Sequence, residues 1–182
     1  MRFLPKLLAA SLIAFAGMAS ATVVTFEDLN GSGVLASDYA GLTWGAGWNY
    51  YDSVQSPYNP SSGKTRIYNN DSPTTDGFKF TSGVIFDGAY FSGYQNASFE
   101  LFNGGQLVFT SSVLDLSDTP SFLSSGYAGL VDEVRLSVSN SAFVMDDVTY
   151  RTAALKSVPE PSSLALIGLG LAGLIVAKRR KV

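Results

Sequence analysis

The chain has 182 residues, the size of one ordinary domain with short flanking segments. It contains no Cys and no His, which excludes disulfides, thiolate metal sites, thiol nucleophiles and histidine general bases. Residues 22–157 hold 14 acidic and six basic side chains, a net charge of −8. This balance argues against nucleic-acid binding, because that function needs a basic surface.

The N-terminus predicts a secretory signal peptide over residues 1–21. Two cations precede an apolar run over residues 7–18, and the small residues Ala19 and Ala21 match the A-x-A cleavage pattern. An N-terminal membrane anchor is the alternative, but the apolar run is shorter than the about 20 residues that a membrane span needs. The exported domain is therefore predicted to begin at Thr22.

The first half of the domain combines one strand with a long irregular region. Residues 22–26 are β-branched or aromatic and predict the first strand, with Glu27 and Asp28 at its end. Residues 45–76 are rich in Gly, Pro, Ser, Asn and Tyr, a composition that favours turns and irregular loops. We expect this region to be the largest irregular stretch of the domain.

The second half carries the clearest strand signals. Two apolar-rich runs, 97–102 and 106–110, flank an Asn-Gly-Gly sequence and predict a β-hairpin, because Asn and Gly tolerate the positive φ of tight turns. Residues 130–139 alternate apolar and polar side chains, which is typical of a strand with one buried face. A last strand is predicted over residues 143–150. Seven or eight such strands predict an all-β fold for 22–150, an antiparallel β-sandwich of jelly-roll-like type, and 151–157 is predicted as a linker.

The last 25 residues carry the most specific signal in the chain. The segment Val158, Pro159, Glu160, Pro161 precedes an apolar run over 164–177. A basic stop-transfer cluster ends the chain: Lys178, Arg179, Arg180, Lys181. As a helix, the 14 apolar residues would span about 21 Å, against about 30 Å for the hydrocarbon core. Snorkelling cations and local thinning can complete such a transmembrane helix, with the basic end in the cytoplasm. A buried core helix is the alternative.

The two prolines on either side of Glu160 favour an extended backbone, because each fixes its own φ and restricts the residue before it. An extended segment suits recognition in the cleft of a processing enzyme, with the Glu160 carboxylate as the specific contact. The alternative is a rigid linker that only stops the helix.

Together with the signal peptide, this tail resembles that of the PEP-CTERM family of exported bacterial proteins. The matching features are the Val-Pro-Glu-Pro motif, an apolar helix containing Gly168, Gly170 and Gly173, and the basic end. The resemblance implies a Gram-negative bacterium that makes exopolysaccharide, and an exosortase, an integral membrane enzyme, that recognises and cuts the tail. Residues 24–29, 39–44 and 143–150 also resemble ectodomains that accompany this tail, most of them of unknown function.

Aromatic residues are concentrated in the irregular region and suggest a glycan-binding surface. Rings on exposed loops stack on sugars, and we take Trp48, Tyr50 and Tyr51 as its candidates. Further members of the region are Trp44 and Tyr58, with Asn49, Asp52 and Asn59 as hydrogen-bonding partners. The alternative is that the rings are core residues, which we expect for Trp44 in particular.

Paired carboxylates near the two ends of the domain suggest a calcium site. Glu27 and Asp28 belong to the first predicted strand and Asp146 and Asp147 to the last, and these strands are often neighbours in jelly-roll domains. Ca²⁺ prefers six to eight oxygen ligands, which the four side chains and nearby carbonyls could supply. The alternative is that they are solvated or paired with amides and cations. No other cofactor is predicted.

No catalytic residues are assigned, because the chain lacks GxSxG, HExxH and phosphate-loop motifs. We therefore predict a non-enzymatic protein of the cell envelope, surface or extracellular matrix, with a structural or adhesive role. Its expected partners are an exosortase, the membrane and extracellular polysaccharide, but not nucleic acid. A carbohydrate-binding module that attaches the cell to extracellular polysaccharide is the alternative function.

Overall fold

The computed structural model describes residues 20–70, 76–138 and 142–153, and every strand pairing within them is antiparallel. These residues contain twelve strands: β1 (Ala21–Val24), β2 (Ser32–Val34), β3 (Thr43–Trp44), β4 (Trp48–Tyr51), β5 (Arg66–Asn69), β6 (Gly77–Gly93), β7 (Asn96–Asn103), β8 (Gln106–Thr110), β9 (Leu114–Asp115), β10 (Ser121–Ser124), β11 (Val131–Val138) and β12 (Phe143–Thr152). One 3₁₀ turn, Tyr39–Gly41, accompanies them. The predicted all-β, antiparallel fold is confirmed. The described part has more strands than predicted because several are only two to four residues long.

The longest strand, β6, pairs with different partners along its two halves. Phe78 and Lys79 lie between β3 and β11, whereas Tyr90 and Phe91 lie between β10 and β12. Val84, between these halves, is paired to both β11 and β12. Two sets of strands therefore continue from β6: β12, β5, β4 and β2 on one side, and β11, β7 and β8 on the other.

One hydrophobic core joins the two sets of strands. The ring of Phe99 on β7 lies 5.0 Å from that of Phe86 and 5.6 Å from that of Phe91, both on β6. Trp44 on β3 lies 5.4 Å from Trp48 on β4. Trp44 is 4% exposed, so its predicted place in the core is confirmed.

The strongest local patterns gave the elements they predicted. The Asn-Gly-Gly hairpin is present as β7 and β8, with Gly104 and Gly105 at φ values of +60° and +75°. In β11, Val134, Leu136 and Val138 are buried, and Arg135 and Ser137 between them are exposed. Their alternation follows because successive side chains of a strand point to opposite faces.

The irregular region was predicted too broadly. Residues 45–76 contain β4 and β5, which pair along their whole length, so the loop between them covers only residues 52–65. The placement of Glu27 and Asp28 in the first strand is also wrong. β1 ends at Val24, and Phe26 has a φ of +62°, which turns the chain before the two acids.

The ends of the domain meet through β1 and β12. These strands are neighbours, as expected for the first and last strands, and Ala21 pairs with Arg151. β12 continues to Thr152, two residues beyond the predicted strand and into the predicted linker. Ala19, the sorting motif and the basic end lie outside the described residues. Within the described ranges, the chain has no helix with the length and apolar character that a membrane crossing requires.

Candidate functional site

The strand pair β4–β5 has a core face that holds two of the three residues predicted to bind glycans. Trp48 is 1% exposed and its ring contacts those of Trp44 and Phe143, at centroid distances of 5.4 and 6.2 Å. Tyr50 is half-buried and packs against the same core. Side chains two apart on a strand share a face, so Tyr50 follows Trp48 inward. This placement corrects the predicted surface, because a buried Trp48 cannot stack on a sugar.

Tyr51, the third candidate, lies on the outer face of the same strands. Tyr51 pairs with Arg66 on β5. The next pair on the same face is Asn49 with Tyr68. The Tyr51 and Tyr68 rings are 5.5 Å apart and almost perpendicular, at 82°. The Arg66 guanidinium lies 3.9 Å above the Tyr51 ring centre, within the range of a cation–π contact.

An open cleft of about 420 Å³ lies over this outer face. Three tyrosines line it: Tyr51, Tyr58 and Tyr68. The other lining residues are Ser53, Gln55, Asn70, Phe143 and Val144. Tyr58 comes from the 52–65 loop, and its ring makes an edge contact with Tyr94 at 6.0 Å. The volume is in the range of small-molecule sites, which combine aromatic walls with a few polar groups.

Arg66 fixes the loop that forms one wall of the cleft. Its side chain is 1% exposed and donates three hydrogen bonds to loop carbonyls: Nε to Tyr58 (2.8 Å), Nη1 to Lys64 (2.9 Å) and Nη2 to Ser53 (2.6 Å). Burial raises the pKa of the Tyr51 phenol, and the Arg66 charge offsets part of this effect. The phenol is therefore neutral at physiological pH and can donate or accept a hydrogen bond.

Two of the carboxylates predicted to bind calcium hold the same loop. Asp146 is 2% exposed and accepts hydrogen bonds from the backbone N–H groups of Ser61 (2.9 Å) and Ser62 (3.1 Å). Asp147 accepts bonds from both seryl hydroxyls, at 2.6 and 2.9 Å. Burial raises the pKa of Asp146 to about 6, and the neighbouring Asp147 carboxylate adds to the rise, whereas the amide donors oppose it.

The other two carboxylates have separate partners. Glu27 accepts hydrogen bonds from the N–H groups of Lys64 and Thr65, at 3.1 and 2.8 Å. Asp28 accepts a bond from the Tyr39 hydroxyl, whose pKa is raised by burial and then by that carboxylate. In residues 20–70, 76–138 and 142–153 no group of three or more acidic side chains is placed to hold a metal ion. The structure thus brings the four acids to backbone amides and hydroxyls and does not gather them into one site.

The polar residues predicted to contact sugar already make bonds within the protein. Asp52 accepts hydrogen bonds from Gly31 N–H and Lys64 Nζ, both at 3.0 Å. The side-chain amides of Asn49 and Asn59 donate to backbone carbonyls, at 2.8 and 2.6 Å. These side chains therefore hold turns and loops of the domain through hydrogen bonds.

Sequence reasoning missed Tyr68, Ser53 and Gln55. The signal for Tyr68 was present, because Arg66 and Tyr68 are two apart in a short strand and must share a face. Ser53 and Gln55 carry no comparable pattern, because their position depends on the path of the 52–65 loop.

The model of the PEP-CTERM protein-sorting motif matches residues 157–181. The chain carries a PEP-CTERM sorting motif. The match includes Val158 to Pro161 and the basic residues up to Lys181, as the resemblance of the tail indicated. No curated protein matches the chain. Among solved structures, a mutant of a family 29 carbohydrate-binding module is similar at 14% identity and a TM-score of 0.45, covering 79% of this chain and 100% of that one.

Proposed function

We propose that this chain is a non-enzymatic exported protein of the Gram-negative cell envelope, sorted by an exosortase through its C-terminal tail. The PEP-CTERM motif at residues 157–181 carries this proposal. The domain over residues 22–150 is a jelly-roll-like β-sandwich held outside the cytoplasm, with a structural or adhesive role in the exopolysaccharide layer. The tail anchors it at least until processing.

The chemistry of the tail supports recognition followed by release. Glu160 is the only acidic side chain in residues 148–182, so it is a distinctive contact for an enzyme that reads this segment. The apolar run behind it is about 9 Å shorter than the bilayer core when helical. A short span is less costly to withdraw from the membrane than a full one, because the hydrophobic stabilisation grows with the apolar area buried.

Mass spectrometry of the mature C-terminus tests this proposal in the native host. Surface fractions should contain chains that end between Pro159 and Ser162. Glu160→Gln should leave the tail uncut and hold the protein in the inner membrane, whereas the control Asp115→Asn, at an exposed acid of β9, should be processed normally. An intact Val182 in surface fractions would contradict release, and normal processing of Glu160→Gln would contradict recognition of that carboxylate.

The tyrosine cleft favours a second function, a carbohydrate-binding module that attaches the cell to extracellular polysaccharide. Three phenol rings at an open cleft provide the flat surfaces on which sugar rings stack. This candidate is compatible with the first, because a sorted surface protein can also bind the matrix around it.

A further inference from the structure

We infer that the cleft between Tyr51, Tyr58 and Tyr68 is a binding site for a neutral sugar unit within a polysaccharide chain. The inference rests on the carbohydrate-binding function proposed above and specifies its site and its ligand class. It moves the site away from Trp48 and Tyr50, which face the core, to the outer face of β4–β5 and the 52–65 loop.

The lining of the cleft selects for an uncharged, hydroxylated ligand. All eight described residues that line it are uncharged at neutral pH. They include three phenols, the Gln55 carboxamide and the Ser53 hydroxyl, which can donate and accept hydrogen bonds, as sugar hydroxyls do. The nearby Arg66 charge is covered at 1% exposure, and three of its five N–H groups bond to loop carbonyls. An anionic ligand would therefore find no exposed cation in this lining.

The tyrosine rings provide the apolar half of the recognition. Each of the three tyrosines is half-buried and lines the open cleft. The face of an aromatic ring carries partial negative charge and attracts the polarised C–H groups on the flat side of a sugar. Because the rings of Tyr51 and Tyr68 are perpendicular, they present surfaces in two directions to a ligand in the cleft.

The cleft is also held in shape before any ligand binds. Arg66 supports Tyr51 from above its ring and fixes the backbone at Tyr58, and the Tyr94 ring contacts that of Tyr58. Asp146 fixes the middle of the loop through the amides of Ser61 and Ser62. A preformed site loses little conformational freedom on binding, which favours affinity for a small ligand.

Affinity electrophoresis of the full chain in mild detergent tests the site. The probes are the exopolysaccharide of the host, dextran and galactomannan, with alginate as the anionic contrast. We expect binding to at least one neutral polysaccharide. Tyr58→Ala and Tyr68→Ala should each weaken this binding by about tenfold or more. Tyr68→Phe retains the ring and should bind within about threefold of the unmodified chain. Tyr127→Ala, the matched control, removes a tyrosine that stacks on Phe109 outside the cleft.

Fluorescence of the two buried tryptophans checks that each variant is folded, and footprinting provides a test that needs no variant. Hydroxyl-radical labelling of the unmodified chain should show protection of Tyr58 and Tyr68 by the bound polysaccharide, but not of Tyr127. Retained binding by both alanine variants, or equal protection of Tyr58, Tyr68 and Tyr127, would overturn the site and leave the carbohydrate-binding function standing. Failure of the unmodified chain to bind any neutral polysaccharide would overturn both, and preferential binding of alginate would overturn the neutral ligand class.

Discussion

Replacing the buried Arg66 with Lys should destabilise the domain more than any other change of one cation for another. Arg66 satisfies three loop carbonyls at 2.6 to 2.9 Å, and a lysine ammonium at the end of a narrower side chain can reach only one or two of them. Each buried acceptor left without a donor costs about 1 to 3 kcal/mol. Loop carbonyls can regain some bonds from water, so we expect the free energy of unfolding to fall by about 3 kcal/mol.

Urea unfolding followed by tryptophan fluorescence measures this change, because Trp44 and Trp48 are the only tryptophans and both lie in the core. The matched control is Lys64→Met, which removes a neighbouring cation whose side chain is 55% exposed and pairs with Asp52. A surface ion pair of this kind contributes at most about 1 kcal/mol. Equal stability of the Arg66 and Lys64 variants would refute the idea that Arg66 organises the loop. Increased proteolysis within 52–65 should accompany the loss in Arg66→Lys.

Two further changes test how the loop is held. Burial raises the pKa of Asp146 to about 6, from 3.8 in the unfolded chain, so the folded state binds this proton more tightly. The resulting stabilisation is present below pH 3.8 and is lost as the pH rises through about 6. The free energy of unfolding falls by about 3 kcal/mol over this range. Relative to Asp146→Asn, the unmodified chain should therefore lose most of that stabilisation between pH 4 and 7 in urea titrations, and a difference independent of pH would contradict the assignment. Gly63→Ala should cost about 2 kcal/mol or more, because φ is +46° and the new Cβ, 2.1 Å from the Glu27 carboxylate, would displace it from the Lys64 and Thr65 N–H groups. Gly104→Ala, also at positive φ but with open space around it, is the control, and an equal loss in both would exclude the clash.

Structural features that depend on a pattern within one strand or one turn could be predicted from the sequence. The hairpin around Gly104 follows from the φ values that the turn demands, and the burial of β11 follows from its alternation. The sorting motif was likewise evident, since its parts are contiguous in the chain. These features depend on residues close together in sequence, which is why one sequence suffices to recognise them.

The β4–β5 pair and its cleft could not be predicted in the same way. Each strand has four residues, too few for a clear alternation, and Gly and Pro in the surrounding segments favoured a loop over the whole region. The composition identified Tyr51 and Tyr58 as a group but could not separate them from Trp48, because burial depends on which face of β4 meets the core. That choice is made by contacts with Phe143, nearly 100 residues away in the sequence.

Paired carboxylates in a sequence are compatible with two different arrangements, a cation site or a set of hydrogen-bond acceptors for a loop. Acid pairs near both ends of the domain suggested a cation site, because an ion is the usual reason to gather carboxylates. The 61–65 loop offers another reason, since its N–H groups need acceptors, and Asp146 on β12 and Glu27 in the turn after β1 supply them. Asp146 loses solvation when it is buried, and the amides of Ser61, Ser62 and Asp147 partly compensate for that loss. The acids thereby connect the two ends of the domain to the loop that carries Tyr58, which makes the shape of the cleft depend on the closure of the whole fold.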